Sequence, residues 1–170
     1  MIKQTPWIER KFDFNFPIGL FPVIIERLRG TITQLQAMVK DIDEEKLTIK
    51  ADGKWSAKEV IGHLHDVEEL WSGRIDDFLD HKEILRAADM TNAKTTTANH
   101  NLRSTTELLK QFSETRNILI DRVKDIDEPT ASLIALHPRL KTPMRLIDSL
   151  FFVAEHDDHE LTKIRRLIKG

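Results

Sequence analysis

Leu150–Ile168 reads LFFVAEHDDHELTKIRRLI. An apolar run (Leu150, Phe151, Phe152, Val153, Ala154) leads into a packed cluster of acids and imidazoles, Glu155 to Glu160. Leu161, Ile164, Leu167 and Ile168 then resume an apolar pattern at helical spacing. Polar groups this dense between two apolar segments of one helix cost free energy unless something satisfies them. A metal ion is one answer and solvent exposure the other, and the rest of the chain has to decide between them.

The surrounding sequence supplies three more helices. Ile25, Leu28, Ile32, Leu35, Val39 and Ile42 recur in three- and four-residue steps and predict a helix over about 22–40. Residues 41–55 read as a polar connection with a turn at Asp52-Gly53. Ser56 followed by Glu59 is a capping box, and Val60, Leu64, Val67, Trp71, Ile75 and Phe78 form one face of a second helix that fades near His81. Residues 82–100 are mixed, with a short helical turn offered at Lys82–Ala88. A connection that long can cross a bundle rather than join antiparallel neighbours. Leu109, Phe112, Leu119, Val123 and Ile126 mark a third helix over about 102–125, with Arg116 on the same stripe. After one or two helical turns and a Pro-broken loop, Thr142-Pro143 reads as the N-cap and first turn of the fourth helix. KFDFNFP (11–17) alternates with period two and, lacking a partner strand, predicts an extended arm laid on the body. The expected fold is a single-domain, all-α four-helix bundle over residues 1–170.

Composition narrows the function. Lys plus Arg number 26 and Asp plus Glu 28, a balance without the basic face a nucleic-acid partner needs. There is no cysteine, which excludes disulfides, thiolate zinc sites and a Cys nucleophile. No apolar run is long enough for a membrane span, and the charged N-terminus does not read as a signal peptide. A cytoplasmic protein is expected.

Helical geometry then sorts the polar residues. His63 lies at the edge of the apolar face of the second helix, and His65 points away. On the fourth helix Glu160 and Asp157 lie near the apolar centre, His156 lies beside Glu160, and His159 is nearly opposite. If the second and fourth helices pack together, His63, His156 and Glu160 converge. Two imidazoles and a carboxylate suit a divalent transition metal. The competing reading is a solvated acidic patch, with His63 bonded to a neighbour. HExxH and Glu-x-x-His are both absent, so a thermolysin-type zinc helix and a ferritin-like di-iron site are excluded.

Other residues carry two readings each. Asp157 is either a hydrogen-bond acceptor for a ligand histidine or a surface acid. Arg74 is either an anion binder or a snorkelling interface arginine. His100 is offered to the pocket, while Asn99 and Asn101 read as N-caps. His137, Arg139 and Arg145 frame either an anion site at the fourth helix or simple loop packing. Trp7, Trp55 and Trp71 read as core.

Trp55-Ser56 opening a helix, Glu59, and His63 eight residues after the Trp resemble the second helix of the DinB-like superfamily, which includes the YfiT-like proteins. FFVAEHDDHELTKI (151–164) resembles that family's last helix. WIERKFDFNFP, ERLRGT, GRIDDFL, AADMTN, ANHN and HPRLKTPMRLID are similar to one subgroup of its uncharacterised members. The resemblance implies a bundle with a long crossover between helices 2 and 3 and a divalent metal (Zn, Ni, Fe or Mn) held by three histidines. His63 and His156 match two of them. The family's His-His pair is His159-Glu160 here, so Glu160 occupies the third position. Glu160 supplies an oxygen, or His159 substitutes, or the site is weakened; helical spacing turns His159 away. The resemblance also implies a hydrolase or a thiol S-transferase acting on a small molecule, with a low-molecular-weight thiol as co-substrate in the latter case, and a homodimer. The alternative is a non-catalytic stress-response or partner-binding bundle with a degenerate site.

Overall fold

The computed structural model describes residues 2–50 and 53–169. Its elements are α1 (Phe21–Val39), α2 (Glu44–Leu47), α3 (Ala57–Asp66), α4 (Glu68–Leu79), α5 (Ala93–Thr97), α6 (Thr105–Val123), α7 (Glu128–Ala131), β1 (Ile134–Leu136), β2 (Pro143–Arg145) and α8 (Leu146–Lys169). The capping box opens α3 as expected: Ser56 Oγ accepts from Glu59 N and the Glu59 carboxylate accepts from Ser56 N. α3 and α4 form one rod. Val67 N still bonds His63 O and Trp71 N bonds Val67 O, so the helical ladder passes through the break.

Apolar side chains gather in two clusters at opposite ends of the bundle. One joins Ile24, Ile25 and Leu28 of α1 with Trp71 and Phe78 of α4, Leu119 and Val123 of α6, and Leu150 and Phe152 of α8. The other joins Leu35 and Val39 with Val60 and Leu64, Leu108 and Phe112, and Leu161 and Ile164. Followed along each helix, the two clusters give direction. α1 and α8 run one way, and the α3–α4 rod and α6 run the other. Joining two parallel rods forces the chain between Asp80 and Ser104 back along the bundle, so the long crossover is present. Together α1, the α3–α4 rod, α6 and α8 make the four-helix bundle.

Three local expectations are corrected. Lys82–Ala88 is not helical. Leu85 N donates to Leu136 O and Leu136 N donates to Glu83 O, so the β1–β2 hairpin draws this segment in as an extended edge. Thr142-Pro143 does not start α8. Pro143 opens β2 instead, and Met144 pairs with Ala135 in the buried hairpin register. The helix starts at Leu146, where the Asp148 carboxylate accepts from Arg145 N at 2.8 Å. Finally, Ser104 caps α6, whereas Asn99 makes no side-chain cap bond and Asn101 accepts from Ser56 Oγ at 2.6 Å. Of the turn expected at Asp52-Gly53, Gly53 has the left-handed φ of 69° such a turn uses, while Asp52 lies outside the described residues.

The N-terminal arm lies on the body. Phe12, Phe14 and Phe16 pack against the first cluster while Lys11, Asp13 and Asn15 face outward. Arg145 donates to the carbonyls of Phe14 and Phe16 at 3.0 Å each, which fixes the arm over the start of α8.

Candidate metal centre

A polar layer separates the two apolar clusters, and it has two halves. One half is a buried ion network. Arg116 donates to Glu68 at 2.7 Å and to Asp157 at 3.0 Å, and Thr31 Oγ1 donates to Asp157 at 2.8 Å. Burial opposes the Arg116 cation, but Asp157 and Glu68 outweigh it and hold its pKa above the ordinary arginine value. Asp157 is therefore committed to arginine and makes no bond to a histidine among the described residues, contrary to the reading of it as a support for a ligand.

The other half is His63, His156 and Glu160. All three are buried, and one potential ligand atom from each lies within 4.8 Å of the others. The rings of His63 and His156 are 5.3 Å apart, and His156 Nε2 is 4.0 Å from Glu160 Oε1. Burial pushes His63 down to about 4, with Lys163 adding to the effect. Burial and then His63 push His156 well below the usual imidazole range. Both rings are consequently neutral near pH 7, the form in which imidazole ligates a metal. Burial raises Glu160, against the opposing pull of Lys163, whose Nζ is 3.3 Å from Oε2.

The crossover orients His63. Its Nδ1 is 3.1 Å from Thr95 Oγ1, and Thr95 Oγ1 donates to Asp66 Oδ2 at 2.9 Å. A carboxylate only accepts, so the Thr95 proton points to Asp66 and its lone pairs face His63. Nδ1 then carries the imidazole proton, and Nε2 keeps a lone pair for the centre. His100 Nε2 packs against the same Asp66 oxygen at 2.8 Å. Burial works against the Asp66 carboxylate, but bonds from His100 and Thr95 hold it below its usual range. His100 thus stands behind the site rather than in the pocket.

The donor set fits a divalent ion. His156 Nδ1 is buried without a hydrogen-bond partner, and Nε2 is too far from Glu160 for a bond, so this imidazole has no partner among the described residues. A neutral imidazole has one lone pair, and on His156 no donor among the described residues occupies it, which leaves it open to an ion. Two nitrogens and one oxygen also leave positions open for water or substrate.

The triad opens on a cavity of about 690 Å³. Trp7, Trp55 and Trp71, read from sequence as core, all line it. Trp7, delivered by the arm, lies 5.1 Å from the His156 ring and 4.9 Å from Phe152. Trp55 packs 4.8 Å from His63, and the Lys163 ammonium lies 4.7 Å from its ring centroid. His159 also lines the cavity, but its Nδ1 accepts from Gln4 at 3.0 Å and it stays outside the triad. His65 is directed away, with Nδ1 against Thr115 at 3.3 Å. Arg145 is used up by Asp148 and the arm. Sequence reasoning missed Asp66, Thr95 and Lys163. Asp66 and Lys163 each lie three residues from a triad member on its own helix, a spacing that was visible. Thr95 sits on the crossover, and no local pattern announces it.

The comparisons agree with this architecture. The family model of the DinB superfamily matches residues 27–163. No curated protein matches the chain. Among solved structures, YfiT from Bacillus subtilis, described as a probable metal-dependent hydrolase with an unusual four-helix bundle topology, is similar with a TM-score of 0.81 and 19% identity. That likeness covers 94% of this chain and 91% of that one, and it carries the fold. The matched span runs from α1 into the last turns of α8 and includes the crossover and all three members of the triad, and on it this chain belongs to the DinB superfamily.

Proposed function

We propose that this protein is a divalent-metal-dependent enzyme in which His63, His156 and Glu160 hold the ion and a small molecule reacts in the adjoining cavity, by hydrolysis or by transfer to a thiol. The observation that carries this reading is the partnerless buried imidazole of His156 beside His63 and Glu160. A bound divalent ion supplies acidification of a water or thiol at an open position. The chain does the rest. Thr95 and Asp66 fix the His63 tautomer. Trp7, Trp55 and Trp71 exclude water from the apolar wall. The chain has no cysteine, so in a thiol-transfer reaction the thiol comes from a second substrate. Glu160 brings a negative charge where a third imidazole would be neutral. It therefore lowers the ion's net charge and softens its acidifying effect.

The proximity of Lys163 favours a second reading, a bundle whose site has gone silent, because the ammonium already offsets the Glu160 charge. Metal analysis of protein purified without a nickel column separates the two. The enzyme reading expects close to one equivalent of a divalent ion, or one-to-one uptake on addition, with thermal stabilisation that His63→Ala abolishes. Less than about a tenth of an equivalent, unchanged by added metal, overturns it.

A further inference from the structure

The cavity has a second polar wall on the far side of Trp71. The Trp71 ring is 5.6 Å from the His156 ring, and the Arg74 guanidinium lies over it at 5.4 Å. Arg74 is almost fully buried, yet no carboxylate pairs with it among the described residues. Asp77, one helical turn on and the acid whose charge acts on Arg74, is taken by Arg86, which it binds through both oxygens at 2.9 and 3.0 Å. Arg74 Nε is held by Arg86 O at 3.1 Å, which aims the rest of the guanidinium at His137.

His137 makes the wall more unusual. Its Nδ1 accepts from the backbone N–H groups of Arg139 and Leu140 at 3.2 and 3.1 Å. A nitrogen that accepts two N–H bonds carries no proton, so in the neutral ring Nε2 is the protonated atom. Nε2 nevertheless lies 3.2 Å from Arg74 Nη1, which is also a donor. Two donors face each other with no acceptor between them. Arg139, next along the same wall, has Nη2 buried without a partner, and the Trp71 Nε1–H is likewise unbonded. A cavity wall with this many donors left without an acceptor among the described residues suits a ligand that accepts.

We infer that Arg74, His137 and Arg139 form an oxyanion subsite that takes the carboxylate or phosphate of the substrate, with the substrate's apolar body against Trp71 and Phe152 and its reacting group at the triad. Phe152 is 5.2 Å from His137 and 6.2 Å from Trp71, so an apolar surface connects the two polar ends. Naming the substrate as an anion rests on the reading of this cavity as the active site, but anion binding itself needs no metal.

The test is calorimetric titration of the full chain, stripped of metal by chelation, with benzoate, with its neutral isostere benzamide, and with inorganic phosphate. Benzoate or phosphate should bind one-to-one. Benzoate should bind about tenfold or more tighter than benzamide, the worth of one charge-assisted contact. Tighter benzoate identifies a carboxylate substrate, and tighter phosphate a phosphoryl one. Arg74→Gln should remove the preference. Should that buried change prevent folding, Arg139→Gln, on a half-exposed side chain, should still weaken anion binding severalfold at unchanged thermal stability. Equal affinity for benzoate and benzamide with no saturable phosphate binding overturns the inference, as does wild-type anion affinity in a folded Arg74→Gln protein. His63→Ala separates this inference from the metal reading. That variant should keep anion binding whether or not the wild type holds a metal.

Discussion

Thr95 and His63 are 32 positions apart, yet the Thr95 hydroxyl lies 3.1 Å from His63 Nδ1 and donates its hydrogen bond to Asp66. The crossover is therefore part of the centre, because it selects the imidazole tautomer that leaves Nε2 free. Thr95→Val keeps the shape and removes the acceptor. Metal affinity should fall by about 10–100-fold, read by competition with a chromophoric chelator, while Thr95→Ser stays near wild type. Equal affinity for the valine variant would show that the tautomer is set elsewhere.

Gly62 has a packing reason to be glycine. A Cβ there would overlap the ring of His100, which is buried and held by Asp66. The ring has no free direction in which to yield, so Gly62→Ala should cost about 1–3 kcal/mol. Urea denaturation measures this, and metal affinity should drop with it because His100 and His63 share Asp66 through Thr95. A gain in stability, as expected for glycine-to-alanine in an open helix, would contradict the geometry.

Arg116 is the fully buried cation between Glu68 and Asp157. Arg116→Met leaves both carboxylates without it, and breaking a buried pair costs about 3–5 kcal/mol. The exposed Arg122–Asp76 pair supplies a control, where Arg122→Ala should cost no more than about 1 kcal/mol. Comparable midpoints for the two variants in chemical denaturation would refute the distinction.

His137 predicts a pH dependence. Burial, then Arg74 and Arg139, push it down to about 3. Below about pH 6.5 the unfolded chain protonates this imidazole while the folded chain does not. Its stabilising contribution is therefore complete above that pH and is lost as pH falls toward about 3. The slope it adds is up to about 1.4 kcal/mol per pH unit. Burial pushes His63 and His159 down to about 4 and lowers His156 as well, so the readout is a difference. His137→Gln should show a flatter decline of stability between neutral pH and pH ~4.5 than the wild type. Parallel curves would mean that His137 charges freely in the folded protein.

The four rods were legible because a bundle helix repeats its apolar positions locally, and Ser56–Glu59 announces a helix start within four residues. The inward facing of His63, His156 and Glu160 followed from the same periodicity, since a helix converts spacing into direction. Asp157 shows where that logic stops. Helical direction turned it inward correctly, but only packing decided that Arg116 rather than a histidine met it there. The hairpin residues show another limit. Pro143 fits a helix's first turn and a strand's first position equally well, and pairing with residues 134–136 decided the matter.

By itself the sequence determined the four rods and the inward facing of His63, His156 and Glu160, because each depends on spacing within one rod, whereas the packing of α3 on α8 that makes the three converge was a condition the sequence left open. The tertiary structure alone decided that Thr95 and Asp66 orient His63, that the arm brings Trp7 over His156, and that Arg74 meets His137 without an acid between them. Those relationships join elements far apart in the chain, and their energies depend on desolvation and on which partner arrives first, neither of which local spacing encodes.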